Sequence, residues 1–170
     1  MKRFALYSLF LVLLSATAVK AQTDSENPLQ PFEFLIGGAW TTPTTYQVFE
    51  WGIDEKSVKS RLYFIEDDTL RQVGDLAWFW HPGLQQIRGY GTATDMGIDI
   101  FDYNTSFENP KRLLNIFTAY GRKGNGTTQM EALDFIDENH YTWTYYNIID
   151  GEASPAYSFT FERKDKRNDE

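Results

Sequence analysis

The chain has 170 residues, no cysteine and a formal charge of -8. Without thiols there is no disulfide scaffold, thiolate metal site, cysteine nucleophile or lipid anchor on cysteine. The excess of acid argues against a nucleic-acid or anionic-membrane surface, since phosphates are held by clustered Lys and Arg.

Residues 1–21 have the texture of an export signal. Lys2 and Arg3 precede an apolar run from Phe4 to Leu14, and Val19 and Ala21 put small side chains three and one positions before a cut at Gln22. The run is about half the roughly 20 residues that a bilayer-spanning helix needs. Cleavage there predicts a periplasmic or secreted protein with no membrane span. It would carry 13 Lys and Arg against 24 Asp and Glu, a charge of -11 over 149 residues. That length is one domain with room for a sizeable core.

Residues 22–31 are polar and contain proline, which predicts a leader without structure of its own. The folded domain is expected over 32–164, followed by a charged tail, 165–170, that frays. Only a short turn from Pro31 to Gly37 has helical prospects. The rest reads as about ten strands, near 39–42, 45–53, 56–66, 69–80, 84–94, 97–105, 111–121, 126–136, 140–149 and 155–164. Between them lie turn formers such as Asp67-Asp68, His81-Pro82-Gly83, Gly124-Asn125-Gly126 and Asp150-Gly151, which supply left-handed or preset φ angles. Consecutive antiparallel hairpins without a long crossover predict an all-β, up-and-down barrel, which removes its own edges.

Strand residues alternate between faces, and burying a charge is costly, so each strand can be divided by parity. The inward sets are then Val58, Ser60, Leu62 and Phe64; Leu70, Gln72, Gly74, Leu76, Trp78 and Trp80; Ile87, Gly89, Gly91 and Ala93; Tyr141, Trp143 and Tyr145; and Tyr157, Phe159 and Phe161. Arg71 and Asp75 fall outside. The strands at 97–105, 111–121 and 126–136 do not separate into two faces. Gly89, Gly91 and Ala93 beside large rings suggest unfilled volume, as in a ligand cavity at a barrel mouth. The alternative is a tapering barrel filled by its own side chains.

Two segments carry a family resemblance. Phe34-Leu35-Ile36-Gly37-Gly38-Ala39-Trp40 opens the domain and Phe159-Thr160-Phe161-Glu162-Arg163 closes it. The opening resembles the F-L-x-G-x-W start of lipocalin-like (calycin-type) β-barrels. That resemblance implies that Trp40 plugs the closed end and that Arg163 covers its ring, a structural pair without chemistry. The aromatic hairpin from Leu76 to Gly83 looks like that of exported lipocalin-like proteins of unknown function. Nitrobindin-type ten-stranded haem barrels are more distantly similar, and they imply an iron-ligating histidine near the last strands. The stretch Ala153 to Arg163 holds no histidine, so haem stands as a lesser alternative to an interior with no cofactor.

Only two histidines are present. His81 reads as a solvent-facing turn residue, and His140 is a weak candidate for a metal or haem ligand. No spacing suits zinc or calcium, and there is no nucleophile elbow, P-loop or dinucleotide fingerprint. Glu50, Asp102 and Glu131 are the carboxylates whose facing is ambiguous; one of them inside would serve a barrel enzyme of the isomerase or hydrolase kind. Nothing argues positively for catalysis. The expected function is binding of a small apolar or aromatic molecule, with Trp51, Leu62, Phe64, Trp78, Trp80, Trp143 and Tyr145 as the wall. Tyr145 and the indoles would serve as orienting donors. A filled barrel acting through protein contacts would instead use an exposed aromatic row such as Phe101 and Tyr103.

Overall fold

The computed structural model describes residues 27–94 and 97–165. The export segment, residues 22–26 of the leader and residues 166–170 of the tail lie outside that range. Ten strands run β1 (Ala39–Thr41), β2 (Thr45–Trp51), β3 (Ser57–Glu66), β4 (Thr69–His81), β5 (Gln86–Ala93), β6 (Ile100–Asn109), β7 (Arg112–Tyr120), β8 (Gly126–Asp137), β9 (His140–Ile149) and β10 (Glu152–Lys164). Each pairs antiparallel with its sequence neighbour, and β1 pairs with both β2 and β10, closing an up-and-down barrel. Among the described residues two short 3₁₀ turns accompany the strands, at Gln30–Leu35 and Ile53–Glu55. The second was not expected from the sequence.

The turn residues do what their chemistry suggests. Asp67 and Asp68 both take positive φ (48° and 61°), as do Asp150 and Gly151 (54° and 84°). Two consecutive left-handed residues give a hairpin loop whose twist matches the strands it joins. Elsewhere a side chain holds the turn: Asn109 Oδ1 accepts from the Lys111 amide and Asp137 Oδ1 from the Asn139 amide.

The 3₁₀ turn before β1 plugs one end of the barrel. Leu29, Phe32 and Leu35 are buried there against Trp40, Phe135, Tyr141 and Phe161. Leu29 belongs to this core although the sequence assigns it to the polar leader; one apolar residue among polar neighbours gives no periodic signal. The Trp40 indole donates to the Leu35 carbonyl at 2.9 Å. The Arg163 guanidinium lies 4.5 Å from the Trp40 ring centroid. It also donates to the carbonyls of Phe34, Ile36 and Gly37. Gly38 is needed beneath it: φ is +67°, and a Cβ would stand 2.8 Å from the Lys164 carbonyl oxygen.

Alternation places β3, β5, β9 and β10 as expected, and β4 only in part. Leu62 pairs with Gly74, but Tyr63 pairs with Gln72, so Val73 is an extra residue. A bulge shifts every later side chain to the other face. Leu76, Trp78 and Trp80 therefore face the interior, but on the other side of the bulge the parity reverses. Arg71, expected outside, stands across from Phe64, 5.7 Å from its ring centroid, while Leu70 joins an outer apolar cluster with Tyr46, Val48 and Tyr63.

Phe101 and Tyr103 are buried inside the barrel with Phe117 and Ala119, not exposed as a contact row. Gly89 and Gly91 do not supply empty volume either. A Cβ on Gly89 would meet Trp78 Cδ1 at 2.6 Å, and one on Gly91 would meet Leu76 Cγ at 2.7 Å. These glycines seat the bulky side chains of β4.

Candidate functional site

Above the plug the barrel is hollow. A cavity of about 580 Å³ opens at the rim formed by the β1–β2, β3–β4, β5–β6, β7–β8 and β9–β10 connections, the rim opposite the plug. Its floor is Phe32, Leu35, Phe49, Trp78, Tyr141 and Phe161; its mouth includes Thr42, Thr44, Phe64, Ala93, Ile98 and Asn147.

One wall is a ladder of cross-strand rings between β9 and β10. Tyr141 stacks on Phe161 at 4.8 Å, Trp143 on Phe159 at 6.0 Å, and Tyr145 tilts on Tyr157 at 6.0 Å. These are register partners with side chains on the same face, the arrangement in which cross-strand aromatic pairs interact. Another wall, from β6 and β7, groups Phe101, Tyr103 and Phe117, with Tyr103 and Phe117 5.0 Å apart.

Of the residues predicted to form the wall, Leu62, Phe64, Trp78, Trp143 and Tyr145 line the cavity. Trp51 and Trp80 do not. They lie at the plugged end and pack against the main core, and the Trp51 indole donates to Glu33 Oε2 at 3.1 Å. Of the two indoles that line the cavity, that of Trp143 is engaged by Glu131, while Trp78 Nε1 is buried without a partner. Tyr145 remains as the orienting hydroxyl of the predicted set.

The strands that could not be divided from sequence carry part of the cavity's polar content, Glu131 included. Thr105, Asn115, Glu131, Tyr145 and Tyr157 are successive register partners across β6 to β10 and form one row around the barrel. Thr105 Oγ1 donates to Asn115 Oδ1, Asn115 Nδ2 donates to Glu131 Oε1 at 2.8 Å, and Trp143 Nε1 donates to Glu131 Oε2 at 2.8 Å. A second chain runs from the Tyr141 hydroxyl to Gln47 Oε1 (3.2 Å) and from Gln47 Nε2 to Ser60 Oγ (2.9 Å).

Burial raises the Glu131 pKa, and the bonds from Trp143 and Asn115 oppose the rise without cancelling it. The same carboxylate, added to burial, pushes the phenols of Tyr103 and Tyr141 well above the ordinary tyrosine range. Of the three ambiguous acids only Glu131 is inside. Glu50 points outward and pairs with Arg61 at 3.2 Å, and Asp102 pairs outside with Arg88. Glu131 shares its parity with Leu133 and Phe135, but Met130, Ala132 and Ile136 fill the opposite parity, so alternation alone does not mark it.

Neither histidine reaches the interior. His81 accepts from the Leu84 amide at the β4–β5 turn, and His140 Nδ1 is 2.8 Å from Asp137 at the β8–β9 turn. Their neighbours Trp80 and Tyr141 take the inward positions, and the cavity presents no imidazole to a haem iron. Among the described residues, no group of three or more His, Asp or Glu is arranged to hold a metal ion. Nor is any helix among them long and apolar enough to cross a membrane.

No protein-family model matches the chain, and no curated protein matches it.

Proposed function

We propose that this is an exported, lipocalin-like barrel that binds a small apolar or aromatic molecule in its interior. The carrying observation is the cavity of about 580 Å³ walled by the rings of β6, β7, β9 and β10 and open at one rim. A plugged core, a single mouth and a few polar groups set among rings are the features of a small-molecule pocket. Burying about 200 Å² of apolar ligand surface there would contribute about 5 kcal/mol before the costs of ordering. Export rests on the residue pattern from Lys2 to Ala21, and kinship with lipocalin-like barrels on Gly38-Ala39-Trp40 with Arg163.

The test is a fluorescence titration with N-phenyl-1-naphthylamine, an uncharged aromatic probe that brightens in apolar surroundings. The expected result is saturable, one-to-one binding. Ala93→Trp, which places an indole in the mouth, should weaken it by about tenfold or more, equivalent to about 1.4 kcal/mol. Absence of saturable binding, or binding indifferent to that substitution, would overturn the reading.

A further inference from the structure

Glu131 is the only Asp, Glu, Lys, Arg or His among the described residues that line the cavity. All other polar lining groups are amides, hydroxyls and indoles. Glu131 is half-buried, and a carboxylate set in an apolar wall is costly unless something compensates it. Compensation within the chain is partial. Asn115 binds one oxygen and Trp143 the other, each with a single neutral donor. A carboxylate offers about four acceptor positions, so two donors leave it unsaturated, and no cationic side chain among the described residues lines the cavity beside it.

The rings next to Glu131 are arranged to favour positive charge. Tyr145 is its register partner on β9 and Trp143 its hydrogen-bond donor. Trp143 and Tyr145 lie 6.2 Å apart, and each continues into the ladder through Phe159 and Tyr157. Aromatic faces are negative by their quadrupole and attract ammonium groups, most strongly where water is excluded. The chain's net charge of -8 further favours approach of a cation over an anion.

We infer that the ligand is an organic amine: a protonated ammonium that pairs with Glu131, attached to an apolar or aromatic body that fills the ring-lined space above the plug. The inference rests on the binding function proposed above and specifies its ligand class. An anionic ligand such as a fatty acid would meet an unneutralised like charge. An uncharged one would leave the carboxylate as it stands in the free protein.

The experiment displaces N-phenyl-1-naphthylamine from the full chain with three competitors of one shape: phenethylamine, phenethyl alcohol and phenylacetate. At neutral pH these are cationic, uncharged and anionic. The amine should compete at concentrations about tenfold or more below the alcohol, and phenylacetate should be weakest. Glu131→Gln keeps the size and one acceptor oxygen but removes the charge. It should bring the amine and the alcohol to within about twofold of each other. The wild-type ranking tests the idea even should that variant misfold. Equal displacement by all three, a preference for phenylacetate, or an amine preference that survives in a folded Glu131→Gln variant would overturn it while leaving the binding function intact. Failure of the naphthylamine probe itself to bind would overturn both.

Discussion

Glu131 on β8 stands directly opposite Asn115 on β7, and their side chains bond inside the barrel at 2.8 Å. The contact joins Thr105 and Trp143 into one network, so the cavity lining holds an aromatic wall and, among the described residues, a single acid. A core built only for stability would gain little from such a group, because apolar residues of equal volume cost less to bury. Its presence in the cavity wall is a reason to read the space as a site.

The two tryptophans of the cavity should respond differently to truncation. Trp78 is 4% exposed and packs on Phe32, Phe49 and Tyr103 over Gly89. Trp78→Ala should lower stability by about 3–5 kcal/mol, measured by urea unfolding. Trp143 faces the cavity, so Trp143→Ala should cost less in stability and more in probe affinity.

Gly89→Ala tests the seating of Trp78. Its new methyl would meet the indole at 2.6 Å. Overpacking of this kind typically costs about 1–3 kcal/mol. The thermal midpoint should fall accordingly, and an unchanged midpoint would mean that the indole can slide aside.

Arg163→Met should weaken the plug without touching the cavity. The guanidinium serves three backbone carbonyls and the Trp40 face. Loss of those donors should destabilise by about 1–3 kcal/mol. Affinity for the naphthylamine probe should be unaltered, because Arg163 lies at the far end of the barrel from the mouth.

The pH dependence of stability should carry the mark of Glu131. Its pKa in the folded state is raised above the ordinary 4.5, chiefly by burial. The folded protein therefore holds a proton that the unfolded chain has released over the window from 4.5 up to the raised value. Stability from this group is fully present below that window and is lost as pH rises through it. Unfolding midpoints compared between wild type and Glu131→Gln should diverge in the wild type's disfavour as pH rises from 4 toward neutrality. Parallel curves would contradict the burial of the charge.

Much of the barrel was legible because turns and alternation are local signals. Asp67-Asp68 and Asp150-Gly151 marked hairpins through backbone preference alone, and Tyr141, Trp143 and Tyr145 stood out as one face because His140, Thr142 and Thr144 hold the opposite parity. Three things were hidden. The bulge at Val73 reversed the facing of Arg71 and Leu70, and nothing in the local pattern announces an inserted residue. In β6 to β8 the usual contrast is inverted. Asn115 and Glu131 point in while Ile100, Ile116 and Ile136 are exposed, so apolar parity gives no answer. The depth of a side chain along the barrel was also beyond reach. Trp51 and Trp80 have the right parity but sit beside the plug, below the cavity.

Nuclear magnetic resonance of the indole N–H groups during titration with N-phenyl-1-naphthylamine tests the interior site most directly. Trp143 lines the cavity, whereas Trp40 is sealed in the plug and Trp51 bonds Glu33 beside it. Binding inside the barrel predicts a saturating shift of the Trp143 signal, with those of Trp40 and Trp51 nearly still. A stationary Trp143 signal, or shifts confined to Trp40 and Trp51, would contradict it.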